Sequence, residues 1–180
     1  TKEYVEVTVA DALADATLQT NEPLYTTGGV VANDAPPQCS LVHLFGDICY
    51  YANVKIGSAT YKYRLMHSVV GDIDAVPETF FLDLDDEIVG LSATKSNVVV
   101  MCKDGAVYRI DGVYDELGRG GMSYERIADA ATCVSSQGVV QALDGLFWAG
   151  RDGIYYTDGY RVIRLNADYD KTWATWVTTS

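Results

Sequence analysis

The residues best able to do chemistry in this sequence form an acidic run: Asp83, Asp85, Asp86 and Glu87. Calcium takes several oxygen ligands, which carboxylates supply, so the run is a candidate cation site. It lacks the spaced D-x-D-x-D-G pattern of a calcium loop. It also lies between two predicted strands, where solvent-exposed carboxylates cost little folding free energy. We interpret it as a solvated turn, with a bound cation as the alternative, and predict no metal site.

Catalytic constellations are hard to find among the remaining polar residues. Glycoside hydrolysis needs a carboxyl group whose pKa is raised by its surroundings, but nearly all acids here fall in predicted turns. His43 and His67 lie within apolar strands, and no G-x-S-x-G or Cys–His signature accompanies them. We expect both histidines in the core or at an interface, and we predict no catalytic residue and a protein that is not an enzyme.

Cysteines and glycines are also explained by structure rather than by chemistry. The cysteines form no CxxC pair and are expected to be buried free thiols: Cys39, Cys49, Cys102 and Cys133. The glycine-rich stretch 118–121 is not followed by Lys-Ser/Thr or by a convincing helix, so it is interpreted as an inter-strand loop rather than a phosphate cradle. No cofactor is predicted.

Aromatic residues near the C-terminal end offer a further alternative, a platform that binds sugar. The candidates are Phe147, Trp148, Tyr155, Tyr156 and Tyr160. They also match the large residues that fill the space between packed sheets, and this packing role is the preferred interpretation. An exposed aromatic shelf with neighbouring Asp or Asn would favour sugar binding instead.

The charge balance bears on possible partners. Lys and Arg number 13 against 25 Asp and Glu, giving a net charge of −12. Because affinity for a phosphate backbone depends on clustered cations, and no basic patch is present, we expect no sequence-specific nucleic-acid binding. No apolar run is long enough for a membrane span, and no signal peptide is recognisable. The chain begins at Thr1 without a methionine, so we expect a part of a longer polypeptide.

Short alternating segments predict an all-β fold. Residues 1–38 are interpreted as an N-terminal strand, over 3–9, and an ordered connector, and residues 39–180 as a partial β-propeller. Strands are predicted at 41–45, 48–52, 61–67, 79–82, 88–93, 98–102, 106–110, 124–127, 133–135, 146–149, 154–157 and 161–165. The apolar strand positions predict burial of Val99, Met101, Val107, Val140, Phe147 and Ile154.

An internal repeat predicts how these strands are grouped. The turn Asp104-Gly105 recurs 48 residues later as Asp152-Gly153, each followed by an aromatic strand. Propeller repeats run at roughly 40–50 residues, and Asp-Gly suits tight hairpins. We therefore predict about three four-stranded blade units, near 41–87, 88–131 and 132–165. Propellers close with about 4–8 blades, so further blades are expected in additional chain or in partner subunits.

Several stretches, in order, resemble bacteriophage tail propeller proteins, the nozzle or tail-tubular class of short-tailed phages. They span residues 24–165 and are Leu-Tyr-Thr-Thr-Gly-Gly-Val at 24–30, Asn-Asp-Ala-Pro-Pro at 33–37, Gly-Asp-Ile-Asp-Ala-Val-Pro-Glu at 71–78, Asp-Leu-Asp-Asp-Glu-Ile-Val-Gly at 83–90 and Gly-Leu-Phe-Trp-Ala-Gly-Arg-Asp-Gly-Ile-Tyr at 145–155. This chain is shorter than members of that class.

The resemblance implies a structural protein of the virion tail that carries no catalytic residues. It implies a homo-oligomeric ring that forms part of the DNA ejection conduit or an assembly platform. The implied partners are the adaptor, portal-proximal and tail fibre proteins. An acidic wall is compatible with a conduit, because it repels phosphate. The alternatives are a carbohydrate-binding propeller for host recognition and a glycoside hydrolase propeller.

Overall fold

The computed structural model describes residues 34–114 and 121–166, together with 172, 173 and 175. Within these ranges the chain forms three four-stranded antiparallel sheets and one short 3₁₀ turn. The all-β, blade-like class predicted from the sequence is confirmed. The strand and most of the connector predicted over 1–38 lie outside the described residues, as does most of the glycine-rich stretch 118–121.

Each sheet is built from four consecutive strands in chain order. The first sheet contains β1 (Leu41–Phe45), β2 (Ile48–Ile56), β3 (Ala59–His67) and β4 (Phe81–Asp83). The second contains β5 (Ile88–Ala93), β6 (Val98–Cys102), β7 (Val107–Asp111) and β8 (Ser123–Ala128). The third contains β9 (Val139–Ala142), β10 (Gly145–Ala149), β11 (Ile154–Thr157) and β12 (Val162–Arg164).

The sheets pack face to face in chain order, because one central strand of each, β2, β6 and β10, carries mainly apolar side chains on both faces. Val98, Val100 and Tyr108 in the second sheet pack towards Tyr50 and Leu65 in the first. The opposite face of the second sheet packs on the third through a second cluster of buried residues that includes Val99, Met101, Val107, Leu146, Trp148 and Tyr155. The first strands are neighbours across the stack, since β5 contacts both β1 and β9.

Both repeated Asp-Gly turns join the two central strands of their sheets, as the repeat predicts. They need glycine for different reasons. Gly105 has a φ of 101°, in the region that favours glycine, and its Cβ would lie 3.0 Å from the Ala130 backbone. At Gly153 a Cβ would instead collide with the side chain of Asn166, whose Oδ1 accepts a hydrogen bond from the Ile154 amide at 2.8 Å.

One predicted strand, 133–135, is wrong. The chain there forms a loop, and the first strand of the third sheet is β9. Local hydrogen bonds account for the difference, because Ser135 caps the 3₁₀ turn Ser136–Gly138 by accepting a bond from the Gln137 amide at 3.2 Å. The Cys133 thiol also donates to the Ser135 carbonyl at 3.4 Å within this loop.

The burial predicted for six strand residues is confirmed only for those between the second and third sheets. Val99, Met101 and Val107 are fully buried between the second and third sheets. Val140 and Ile154 are exposed, contrary to prediction, and Phe147 is only half-buried. These three residues lie on the outward face of the third sheet, where the described residues provide no covering sheet.

Candidate functional site

The acidic run begins at the last residue of β4 and continues through the connection to β5, and its carboxylates are engaged by neighbouring groups. Asp83 makes two bonds of 2.7 Å to the Arg64 guanidinium. Asp85 accepts a bond from the Tyr108 hydroxyl at 2.9 Å, and Asp86 accepts one from the Asp104 amide at the same distance. These contacts tie the first and second sheets and the Asp104 turn together.

Glu87 completes the run by bridging two lysines. Its carboxylate oxygens lie 3.0 Å from Lys62 Nζ and 2.9 Å from Lys103 Nζ. The hydrogen bonds from Lys103 and Lys62 lower the pKa of Glu87, which is the opposite of what a catalytic acid requires. Among the described residues there is no group of three His, Cys, Asp or Glu side chains arranged to hold a metal.

His67 is a buried core residue held in one tautomer. Its Nδ1 lies 2.7 Å from the Ser68 carbonyl oxygen, to which it donates, while Nε2 accepts a bond from the Tyr114 amide at 3.2 Å. The rings of Phe80 and Tyr114 lie against the imidazole. Burial lowers the pKa of His67, so the neutral ring is favoured. His43 is half-buried, and burial lowers its pKa as well.

The cysteines are free thiols; Cys49, Cys102 and Cys133 are buried and Cys39 is partly exposed. Burial raises the pKa of the Cys102 thiol to about 12. A protonated, enclosed thiol is a poor nucleophile, because the thiolate is the reactive form. Cys102 therefore acts as a small apolar residue between the first two sheets.

The aromatic residues proposed as a sugar platform are divided among three places. Trp148 and Tyr155 stack on each other and face the second sheet, where they are buried. Phe147 and Tyr156 pair on the opposite face, with ring centroids 4.8 Å apart. Tyr160 is exposed and contacts the Arg109 guanidinium, 4.8 Å from its ring centroid. The five side chains therefore form no single shelf.

A groove of about 370 Å³ opens between the first two sheets. Its walls include Phe45, Asp47, Asn97 and Asp111. Asp111 accepts hydrogen bonds from Arg109 Nε at 3.0 and 3.2 Å. Among the described residues that line the groove, no hydroxyl or thiol lies beside a basic side chain.

The most distinctive surface is the outward face of the third sheet, named here the open face. Direct cross-strand pairing puts Val140, Phe147, Tyr156 and Ile163 in one row across all four strands. Ile154 shares this face, because it pairs with Ala149 two residues beyond Phe147. Val140, Ile154 and Ile163 are exposed, and Phe147 and Tyr156 are half-buried. Contiguous exposed apolar surface is typical of interaction sites, so the open face is a candidate site of this kind.

The repeat supports this interpretation of the open face. Phe147 lies 48 residues after Val99, and each occupies the same position relative to its Asp-Gly turn. Val99 is fully covered by the third sheet, whereas Phe147 has no sheet upon it in the described residues. Sequence reasoning placed Phe147 in a core. The unbroken apolar run Leu-Phe-Trp-Ala at 146–149 was the available signal that both faces of β10 require cover.

No helix among the described residues is long and apolar enough to cross a membrane. Comparisons with protein-family models and with curated proteins gave no match to this chain.

Proposed function

We propose that this chain is a structural subunit of a bacteriophage tail, contributing blades to a ring that forms part of the DNA ejection conduit or an assembly platform. The observation that carries the proposal is the open face, a complete sheet surface whose side chains suit contact with another protein surface. Phage identity rests on the resemblance over residues 24–165. Its partners would be the adaptor, portal-proximal and tail fibre proteins.

The charges of the described surface fit a passive role beside DNA. Ion pairs engage most of the cations in the described ranges, among them Lys62, Arg64, Lys103, Arg109 and Arg126. A wall in which acids outnumber and pair the cations repels phosphates and so lets a duplex slide without counterion-release binding. This favours a conduit over a DNA-gripping protein.

The carbohydrate-binding and glycoside hydrolase alternatives have less support. A sugar platform requires aromatic faces side by side, and here the aromatic residues divide between two sheet faces and an exposed loop. A glycosidase requires two facing carboxylates, one with a raised pKa. The clustered acids at 83–87 are occupied by hydrogen bonds and ion pairs.

Immunogold electron microscopy tests the proposal. An antibody raised against the chain would be applied to purified particles of the virus whose genome carries the sequence. We expect gold at the tail, and mass spectrometry of the same particles should recover peptides from the chain. Peptides found only in the soluble fraction of infected cells, and never in purified particles, would contradict a role in the virion.

A further inference from the structure

Both ends of the sheet stack expose apolar side chains on their first strands. At the start of the stack, Val42 and Leu44 of β1 are 58% and 60% exposed. They point away from the second sheet, because they pair with Tyr51 and Cys49, which pack on the outward side of the first sheet. At the other end, Val140 of β9 is 56% exposed within the open face.

The contacts inside the chain show how consecutive sheets pack on each other. We call the face of a sheet that points towards the next sheet in the chain its trailing face, and the opposite face its leading face. Each sheet packs its trailing face on the leading face of the next sheet. The first strands are neighbours throughout, β1 with β5 and β5 with β9. Continuing the same step past the third sheet puts β9 beside the first strand of another sheet. Val140 would then contact the first strand of that sheet, on its leading face.

Within the part of the chain that the structure describes, the leading face of the first sheet leaves that place free. Val76 and Cys39 pack over its β2 to β4 portion, on Tyr51 and Met66, and so cover that part of the sheet with the chain's own loops. The described residues leave the β1 portion, with Val42 and Leu44, uncovered. One copy of the chain therefore carries both halves of the contact, an open trailing face and an open leading edge.

We propose that the open face of one copy packs against Val42 and Leu44 of a second copy, head to tail, so that β9 of one chain lies beside β1 of the other. Such an interface is heterologous and makes a ring when its rotation closes. Two copies with three sheets each would supply six, within the range of about 4–8 blades of closed propellers. A symmetric contact between two open faces would leave both β1 residues uncovered.

The inference rests on the proposed structural role, but it fails separately from it. A chain that stays monomeric would remove the head-to-tail contact without bearing on where the protein lies in a virion. Net charge opposes self-association, since each copy carries −12. The proposed dimer should therefore strengthen as salt screens this repulsion.

Sedimentation velocity over a concentration series tests the contact with two variants, Leu44→Glu and Val140→Glu. Both residues are exposed, so their urea midpoints should match that of the parent chain at concentrations low enough for the parent to be monomeric. Val134→Glu is the matched control, because Val134 is also exposed but lies in the 133–135 loop. We expect the parent and the control to dimerise with rising concentration, and each single variant to stay monomeric because every contact loses one half.

Mixing the two variants gives the decisive measurement. The Leu44→Glu copy keeps its open face and the Val140→Glu copy keeps its β1 edge, so an equimolar mixture should form a heterodimer through one intact contact. A parent chain that stays monomeric at all concentrations and salts would overturn the proposal. A dimer that is lost in Val140→Glu but kept in Leu44→Glu would also overturn it, because that result indicates contact between two open faces. A mixture that forms no heterodimer would overturn it as well.

Discussion

The role of His67 follows from its environment rather than from its residue type. An imidazole can serve as base, ligand or core residue, and here both ring nitrogens are already used by backbone groups. The surrounding rings of Tyr50, Phe80 and Tyr114 exclude water from it. Protonating the ring would turn Nε2 into a donor facing the Tyr114 amide, so the folded state favours the neutral form.

This environment predicts a pH-dependent stability. Because burial lowers the pKa of His67 in the folded chain, its contribution is fully present above the unfolded pKa of about 6.5. It is lost as the pH falls from there through the lowered folded pKa. Urea midpoints measured at pH 7.5 and pH 5.5 should fall less in His67→Gln than in the parent chain.

The control for His67 is His43→Gln, since burial lowers the pKa of His43 too but that ring is only half-buried. Its loss of midpoint between the two pH values should lie closer to that of the parent. Equal losses in the parent and in His67→Gln would show that His67 does not carry the effect.

A second residue-scale prediction contrasts the two faces of the third sheet. Trp148 is buried against the second sheet and donates from Nε1 to the Thr132 carbonyl at 3.2 Å. Trp148→Ala should cost about 3–5 kcal/mol of unfolding free energy, as large buried aromatics do. Val140→Ala should cost about 0.5 kcal/mol or less, because the residue is exposed. Chemical denaturation of both variants measures this, and similar losses would contradict the assigned faces.

At the scale of elements, much of the strand pattern could be predicted from the sequence. The short apolar run at 98–102 and the Asp104-Gly105 turn predicted β6 and the β6–β7 hairpin, because these signals are local. The strand predicted at 133–135 failed because the Ser135 side chain accepts a hydrogen bond from the Gln137 amide, and apolar character alone does not reveal that competition. The partners of the acidic run were equally hidden, since Lys62 and Tyr108 reach it from strands distant in sequence.

Those partners yield a prediction for the loop that joins β4 to β5. Its carboxylates are already paired with Arg64, Lys62, Lys103 and the Tyr108 hydroxyl. Calcium would have to displace these contacts and gather ligands that do not converge. The thermal midpoint should therefore not change when about 1 mM calcium replaces EDTA, a concentration that saturates all but the weakest sites. A rise of several degrees would restore the cation site considered from the sequence.

At the scale of the whole molecule, the sequence could not say which apolar face lacks a partner among the described residues. Val99 and Phe147 share a repeat position and an apolar character, yet one is enclosed by the third sheet and the other is not. The apolar pattern of a strand predicts that a face of its sheet is buried. Only the order of the sheets in the structure shows whether another sheet packs on that face. The open face therefore emerges at the end of the stack rather than from any single strand.

The whole molecule also carries the last prediction, that the chain does not bind duplex DNA. Its charge of −12 and the pairing of cations such as Arg64, Lys103 and Arg109 leave little to release counterions from phosphates. A fluorescence anisotropy titration at about 50 mM salt is the stringent test, because attraction is only weakly screened there. We expect no saturation up to about 100 μM, the weak limit of non-specific binding. Binding in the micromolar range would mean that a local basic surface outweighs the net charge, and the passive conduit would have to be abandoned.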